Sequence, residues 1–103
     1  VTLDYIGAQF SGCWDFVARY YREQHDIDID PLAHRNRELF DPVDEPQDGD
    51  LALIQTYGKW SHAGIVYCRG ILHHTEAHGV IYQRSLDAKF YRCRVRQPTP
   101  PAD

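Results

Sequence analysis

The sequence has no long apolar stretch. Its hydrophobic runs last only a few residues, too short for a membrane-spanning helix. It has no basic excess: 11 Lys and Arg against 15 Asp and Glu give a net charge of -4, which argues against a general nucleic-acid binder. It has no Cys-x-x-Cys pair. The three cysteines, Cys13, Cys68 and Cys93, are odd in number and irregularly spaced. That argues against a zinc ribbon or a disulfide framework and for a reduced setting or a reactive thiol. Methionine is absent, an initiator included, so a processed chain or a piece of a longer protein is expected. Val1-Thr2-Leu3-Asp4 does not read as a secretory leader.

Metal-site patterns are missing too. His73, His74, Glu76 and His78 cluster in the sequence, but their spacing matches no strong zinc pattern, and HExxH does not occur. Asp26, Asp28 and Asp30 lack the glycine and terminal glutamate of a calcium loop and read as a solvated acidic turn. No metal or other cofactor is expected.

What is present describes one globular domain. The chain has 103 residues, 43% of them hydrophobic and 25% charged, which sets disorder and coiled coil aside. Residues 1–97 read as the domain, and Pro98-Thr99-Pro100-Pro101-Ala102-Asp103 as an extended tail or linker. From Cys13 to about Gln24, the residues Cys13, Phe16, Val17, Tyr20 and Tyr21 recur at helical spacing, with Ser11 as the expected cap and Asp15 near the positive end. A short second helix is expected near Leu32–Leu39. His25 and His34 are expected to face solvent.

The second half changes character. Five short β-branched or aromatic runs begin at Leu51, His62, Ile71, Val80 and Phe90, separated by glycine and polar turns. They predict a five-stranded antiparallel meander, and a helix first with strands after predicts an α+β fold. Arg92, Arg94 and Arg96 alternate on the last strand and read as a solvated row on an edge.

Three residue types here carry chemistry. Cys13 opens the helix, where unpaired backbone N–H groups stabilise a thiolate. A small buried hydrophobe is the commoner fate of a free cysteine, so position alone does not make it a nucleophile. His62 opens a strand. His73 and His74 are adjacent in the next strand and point to opposite faces, so only one of them shares a face with His62. The turn decides which. If Arg69-Gly70 is a two-residue turn, Val66 opposes His73, and His73 shares the face of Gly64 and His62. If the turn is Cys68-Arg69-Gly70, Gly64 opposes His74 instead. Both registers remain open at this level, and both offer a nucleophile, a base and an orienting group.

In combination these pieces point to a family. Tyr5-Ile6-Gly7 followed by Gly12-Cys13-Trp14-Asp15-Phe16-Val17 resembles the segment that leads into the catalytic cysteine of the NlpC-like cell-wall cysteine peptidases. Pro46-Gln47-Asp48-Gly49-Asp50 and the apolar strand after it resemble the glycine–aspartate segment of that family. His62-Ala63-Gly64-Ile65 resembles its histidine-x-glycine-isoleucine strand, and Ile71-Leu72-His73-His74 the strand of the third polar residue. The resemblance runs from about Tyr5 to Arg92, and its order is more specific than any one piece. The helix ending Tyr20-Tyr21-Arg22-Glu23 and the Ile71–His74 strand look most like phage tail-tip members. Gly12 and Trp14 depart from the aspartate and small residue usual beside the cysteine.

The resemblance implies a papain-like α+β fold and a peptidase acting on peptidoglycan stem peptides. It implies Cys13 as nucleophile, His62 as base and His73 as the third catalytic residue, with His74 the alternative that gapless spacing from His62 favours. It implies the Cys13 backbone N–H, helped by the Tyr5 hydroxyl, as oxyanion donors. It places the working site at the cell wall, with phage tail proteins as partners in a virion or in the bacterial cytoplasm before assembly. The rival readings are another thiol enzyme on this scaffold, an amidase or acyltransferase, and a catalytically silent wall-binding or tail-assembly module.

Overall fold

A computed structural model describes residues 2–29, 38–84 and 86–94 of the chain. The proline-rich segment 98–103, Arg96, His34 and most of the helix expected near Leu32–Leu39 fall outside these residues.

The helix forms where its periodicity places it. α1 spans Cys13–His25 and buries Phe16, Val17, Tyr20 and Tyr21, the face spaced at helical intervals. Burying side chains of the Phe16 and Val17 kind contributes about 1.5–3 kcal/mol each. Its start differs from expectation: the N-cap is Gly12 in extended backbone with no side-chain cap, so Ser11 does not cap. Asp15 lies in the first turn, where its charge complements the helix dipole. The helix ends at Asp26 in the left-handed conformation (φ 55), and the Ile27 N–H closes back on the Tyr21 carbonyl at 3.1 Å. His25 is not simply solvated. Its Nε2 lies 3.2 Å from the Tyr20 hydroxyl, and its ring packs on Tyr20 and Tyr21.

Among the described residues the sheet has six strands rather than five: β1 (Phe40–Val43), β2 (Leu51–Thr56), β3 (Lys59–Tyr67), β4 (Gly70–Thr75), β5 (Gly79–Gln83) and β6 (Ala88–Cys93). The additional strand, β1, carries Pro42, which an edge strand tolerates because one side of it needs no ladder donors. All pairings are antiparallel, in the order β1-β6-β2-β3-β4-β5. β2 to β5 form the expected meander, but β6 crosses back to pair with β2, which makes β6 an interior strand.

That crossover corrects the reading of the arginines. Arg92 grips the buried Asp50 with two bonds, Nε to Oδ1 at 3.1 Å and Nη2 to Oδ2 at 3.0 Å. Asp50 also accepts the Gln47 N–H at 2.8 Å, so its carboxylate organises the loop that enters β2. The Gly49 carbonyl accepts the Tyr21 hydroxyl at 2.6 Å, which fastens the same loop to α1. Arg94 pairs with Asp41 of β1.

Side chains alternate across the sheet and give it two distinct faces. Leu51, Ala63, Ile65, Leu72 and Val80 join the buried face of α1 in the main core. Ala52, Ile54, Val66 and Ile71 form a smaller cluster on the other face, with Leu86, Ala88 and Phe90 against it.

Candidate active site

The β3–β4 hairpin sets the site, and its turn is neither of the two expected. Tyr67 pairs with Gly70, so Cys68-Arg69 is the turn. Both residues are left-handed (φ 47 and 63), the conformation a two-residue hairpin of this twist requires. Two interactions hold it: the Cys68 N–H donates to Asp48 Oδ1 at 2.9 Å, and the Tyr82 hydroxyl to the Cys68 carbonyl at 2.6 Å. Gly70 lies inside the strand because the Tyr82 ring occupies the space of a side chain: a Cβ there would meet it at 2.5 Å.

This register pairs Gly64 with His73. His62, Gly64 and His73 therefore share the sheet face of Val66 and Ile71, and His74 shares the α1 face with Leu72. Gly64 is required for the pairing. A Cβ on it would lie 2.6 Å from Ile71 Cγ2 and 3.0 Å from His73 Cβ.

His62 and His73 meet directly. His62 Nε2 is 2.8 Å from His73 Nδ1, with the rings edge to face at 4.9 Å. His73 Nε2 lies 3.1 Å from Gln83 Oε1 on β5. Burial lowers the affinity of both rings for a proton. For His62, His73 and then His74 add to the effect; for His73, the hydrogen bond to Gln83 opposes it. Both imidazoles are therefore held neutral, the state in which one of them can accept a proton. Among the described residues nothing hydrogen-bonds His62 Nδ1, so that nitrogen remains for a substrate or nucleophile.

The other candidates are placed elsewhere. His74 is buried, and its Nε2 accepts the Phe10 N–H at 3.1 Å, which ties the segment before α1 to β4. The Tyr5 hydroxyl donates to Glu23 Oε1 at 2.5 Å and accepts from Gln24 at 3.4 Å. Burial and the Glu23 bond push its pKa up to about 12. Glu23 is ten residues along α1 from Cys13, about 15 Å of helical rise, so this hydroxyl is engaged away from the helix start.

Cys13 is the first residue of α1 and half-buried against the main core. The helix start touches β3 through Trp14, whose Nε1 donates to the Ser61 carbonyl at 3.3 Å, one residue before His62. Ser61 is itself irregular: Ile54 pairs with His62 and Gln55 with Trp60, which leaves Ser61 as a bulge. Among the described residues no hydrogen bond joins the Cys13 thiol to His62. Gln83 is the site residue that sequence reasoning missed. Its one signal is that it ends a strand whose neighbour carries two histidines. Among the described residues no group of three or more His, Cys, Asp or Glu is placed to hold a metal ion.

Comparison with known proteins gives one clear result. The model of the NlpC/P60 family, whose members are cell-wall peptidases acting on peptidoglycan peptides, matches residues 6–99, most of the chain. No curated protein matches it.

Proposed function

The chain belongs to the NlpC/P60 family, and from that premise we propose that it is a papain-like cysteine peptidase hydrolysing an amide bond in peptidoglycan stem peptides. The observation that carries the reading is the His62–His73 pair, neutral and with His62 Nδ1 left open. Cys13 is the nucleophile. His62 Nδ1 takes the thiol proton, and the sulfur attacks the amide carbon. The proton then passes from Nδ1 to the departing amine as the carbon–nitrogen bond breaks. Water, deprotonated by the same nitrogen, releases the acyl group and restores the thiol. His73 holds the His62 ring through Nε2 and stabilises the imidazolium that forms. The Cys13 N–H at the start of α1 faces the developing oxyanion. Tyr5, bound to Glu23, has no part in this scheme.

The Trp14–Ser61 bond supports bringing the helix start to the strand end that carries His62. Catalytic hydrogen bonds are often long in enzymes without substrate and tighten when it binds. The Ile71-Leu72-His73-His74 strand supports a phage tail-tip setting, with tail proteins as neighbours and the cell wall as the place of action.

Two observations favour the silent wall-binding or assembly module: among the described residues the Cys13 thiol and His62 share no hydrogen bond, and Cys13 packs against the α1-side core whereas His62 and His73 lie on the other face of the sheet. Purified peptidoglycan separates the two readings. The peptidase releases stem-peptide fragments, identified by mass spectrometry, and Cys13→Ala and His62→Ala abolish the release. Retention on peptidoglycan with no more release than Cys13→Ala gives identifies the silent module.

A further inference from the structure

A neutral imidazole has one N–H and one lone pair, so its partners dictate which nitrogen can act as a base. Two rings bonded in series share one orientation of protons. Whatever binds the far nitrogen of His73 therefore decides the state of His62 Nδ1, two rings away. That partner is Gln83, at the exposed end of β5, opposite Ile71 in the β4–β5 pairing and on the face of the histidine pair.

We infer that Gln83 is a positioning residue that sets the tautomers of both histidines. Its Oε1, 3.1 Å from His73 Nε2, is an acceptor, so His73 carries its proton on Nε2 and its lone pair on Nδ1. That lone pair accepts at 2.8 Å, so His62 carries its proton on Nε2. The lone pair of His62 is then on Nδ1. When Nδ1 takes a proton, the Nε2–H bond to His73 persists and no other proton moves. A donor in place of Oε1 reverses the series. His73 Nε2 then accepts, His73 Nδ1–H donates to His62 Nε2, and His62 Nδ1 already carries a hydrogen. The catalytic meaning of this device rests on the proposed peptidase reading; the proton order within the pair does not.

The test uses three exposed-site variants and two readouts. Nitrogen-15 NMR of the imidazole rings, above the histidine titration range, reports which nitrogen of each ring is protonated. Wild type and Gln83→Glu, which keeps an acceptor, show Nε2–H on both His62 and His73. Gln83→Lys, donor only, shows Nδ1–H on both, and Gln83→Leu gives a mixture. In peptidoglycan hydrolysis, Gln83→Lys loses about 100-fold in kcat, Gln83→Leu about tenfold, and Gln83→Glu retains most activity. Wild-type rings with Nδ1–H, or ring protonation indifferent to residue 83, overturn the inference even where the enzyme is active. An inactive wild type with the expected proton order overturns the peptidase reading and leaves the Gln83 assignment standing.

Discussion

The two faces of one strand use the same residue type for different ends. On the face turned from α1, His73 meets another imidazole and an amide, groups that exchange or orient protons. On the α1 face, His74 accepts a backbone N–H from Phe10 and lays its ring edge-on to the Phe10 ring. Both are buried, and they are neighbours in sequence. Burial alone therefore does not tell the two histidines apart; what each is bonded to does. His74 satisfies a donor that the chain must bury on its way into the helix, which is a structural task. His73 holds a ring whose second nitrogen remains available.

Replacing each histidine in turn breaks the comparison most sharply. His73→Ala lowers peptidoglycan hydrolysis by about 100-fold, because His62 loses its partner, and costs less stability than His74→Ala, because it orphans no backbone N–H. His74→Ala does the reverse. It orphans the Phe10 N–H and opens a gap beside Phe10, destabilising the fold by about 1–3 kcal/mol while the protein that remains folded keeps its turnover number. Thermal denaturation and initial rates on the same preparations check both. A stability loss confined to His73→Ala contradicts the division of roles.

A smaller effect sharpens it. His62 and His73 hold protons less readily in the folded chain than the ordinary value of 6.5. The unfolded chain therefore binds more protons as pH falls, and stability falls with it. The contribution is full above 6.5 and is lost as pH drops from there through the folded values. The double variant His62→Gln with His73→Gln flattens this part of the stability–pH curve, measured by urea unfolding. An unchanged slope in the double variant places the acid sensitivity elsewhere.

Local patterns were the legible part of this chain. The spacing of Phe16, Val17, Tyr20 and Tyr21 foretold α1, and short β-branched or aromatic runs foretold β2 to β5. What escaped depends on contacts distant in sequence. β1 is short and contains Pro42, so it carries no strand signal until β6 supplies a partner. β6 pairs with β2 across the meander, and nothing local announces that crossover or the grip of Arg92 on Asp50.

The site divides the same way. Cys13 at a helix start and His62 on a strand were readable from position. The choice between His73 and His74 hung on one turn. Both expected turns included Gly70, yet Cys68 and Arg69 form the turn, both left-handed, and Gly70 yields its side-chain space to Tyr82. Tyr5 illustrates the opposite limit. Its motif pointed to the oxyanion, whereas its hydroxyl is bonded to Glu23, a partner no short motif specifies.

The central claim is that Cys13 and His62 act as a thiol–imidazole pair, and its most direct measurement is iodoacetamide labelling at neutral pH with mass-spectrometric assignment of each cysteine. Exposed Cys68 serves as the internal reference. The expected result is that half-buried Cys13 reacts faster than Cys68 in the wild type and that His62→Ala slows Cys13 alone. Cys13 labelling no faster than Cys68, or at a rate indifferent to His62, contradicts the pair and with it the peptidase mechanism.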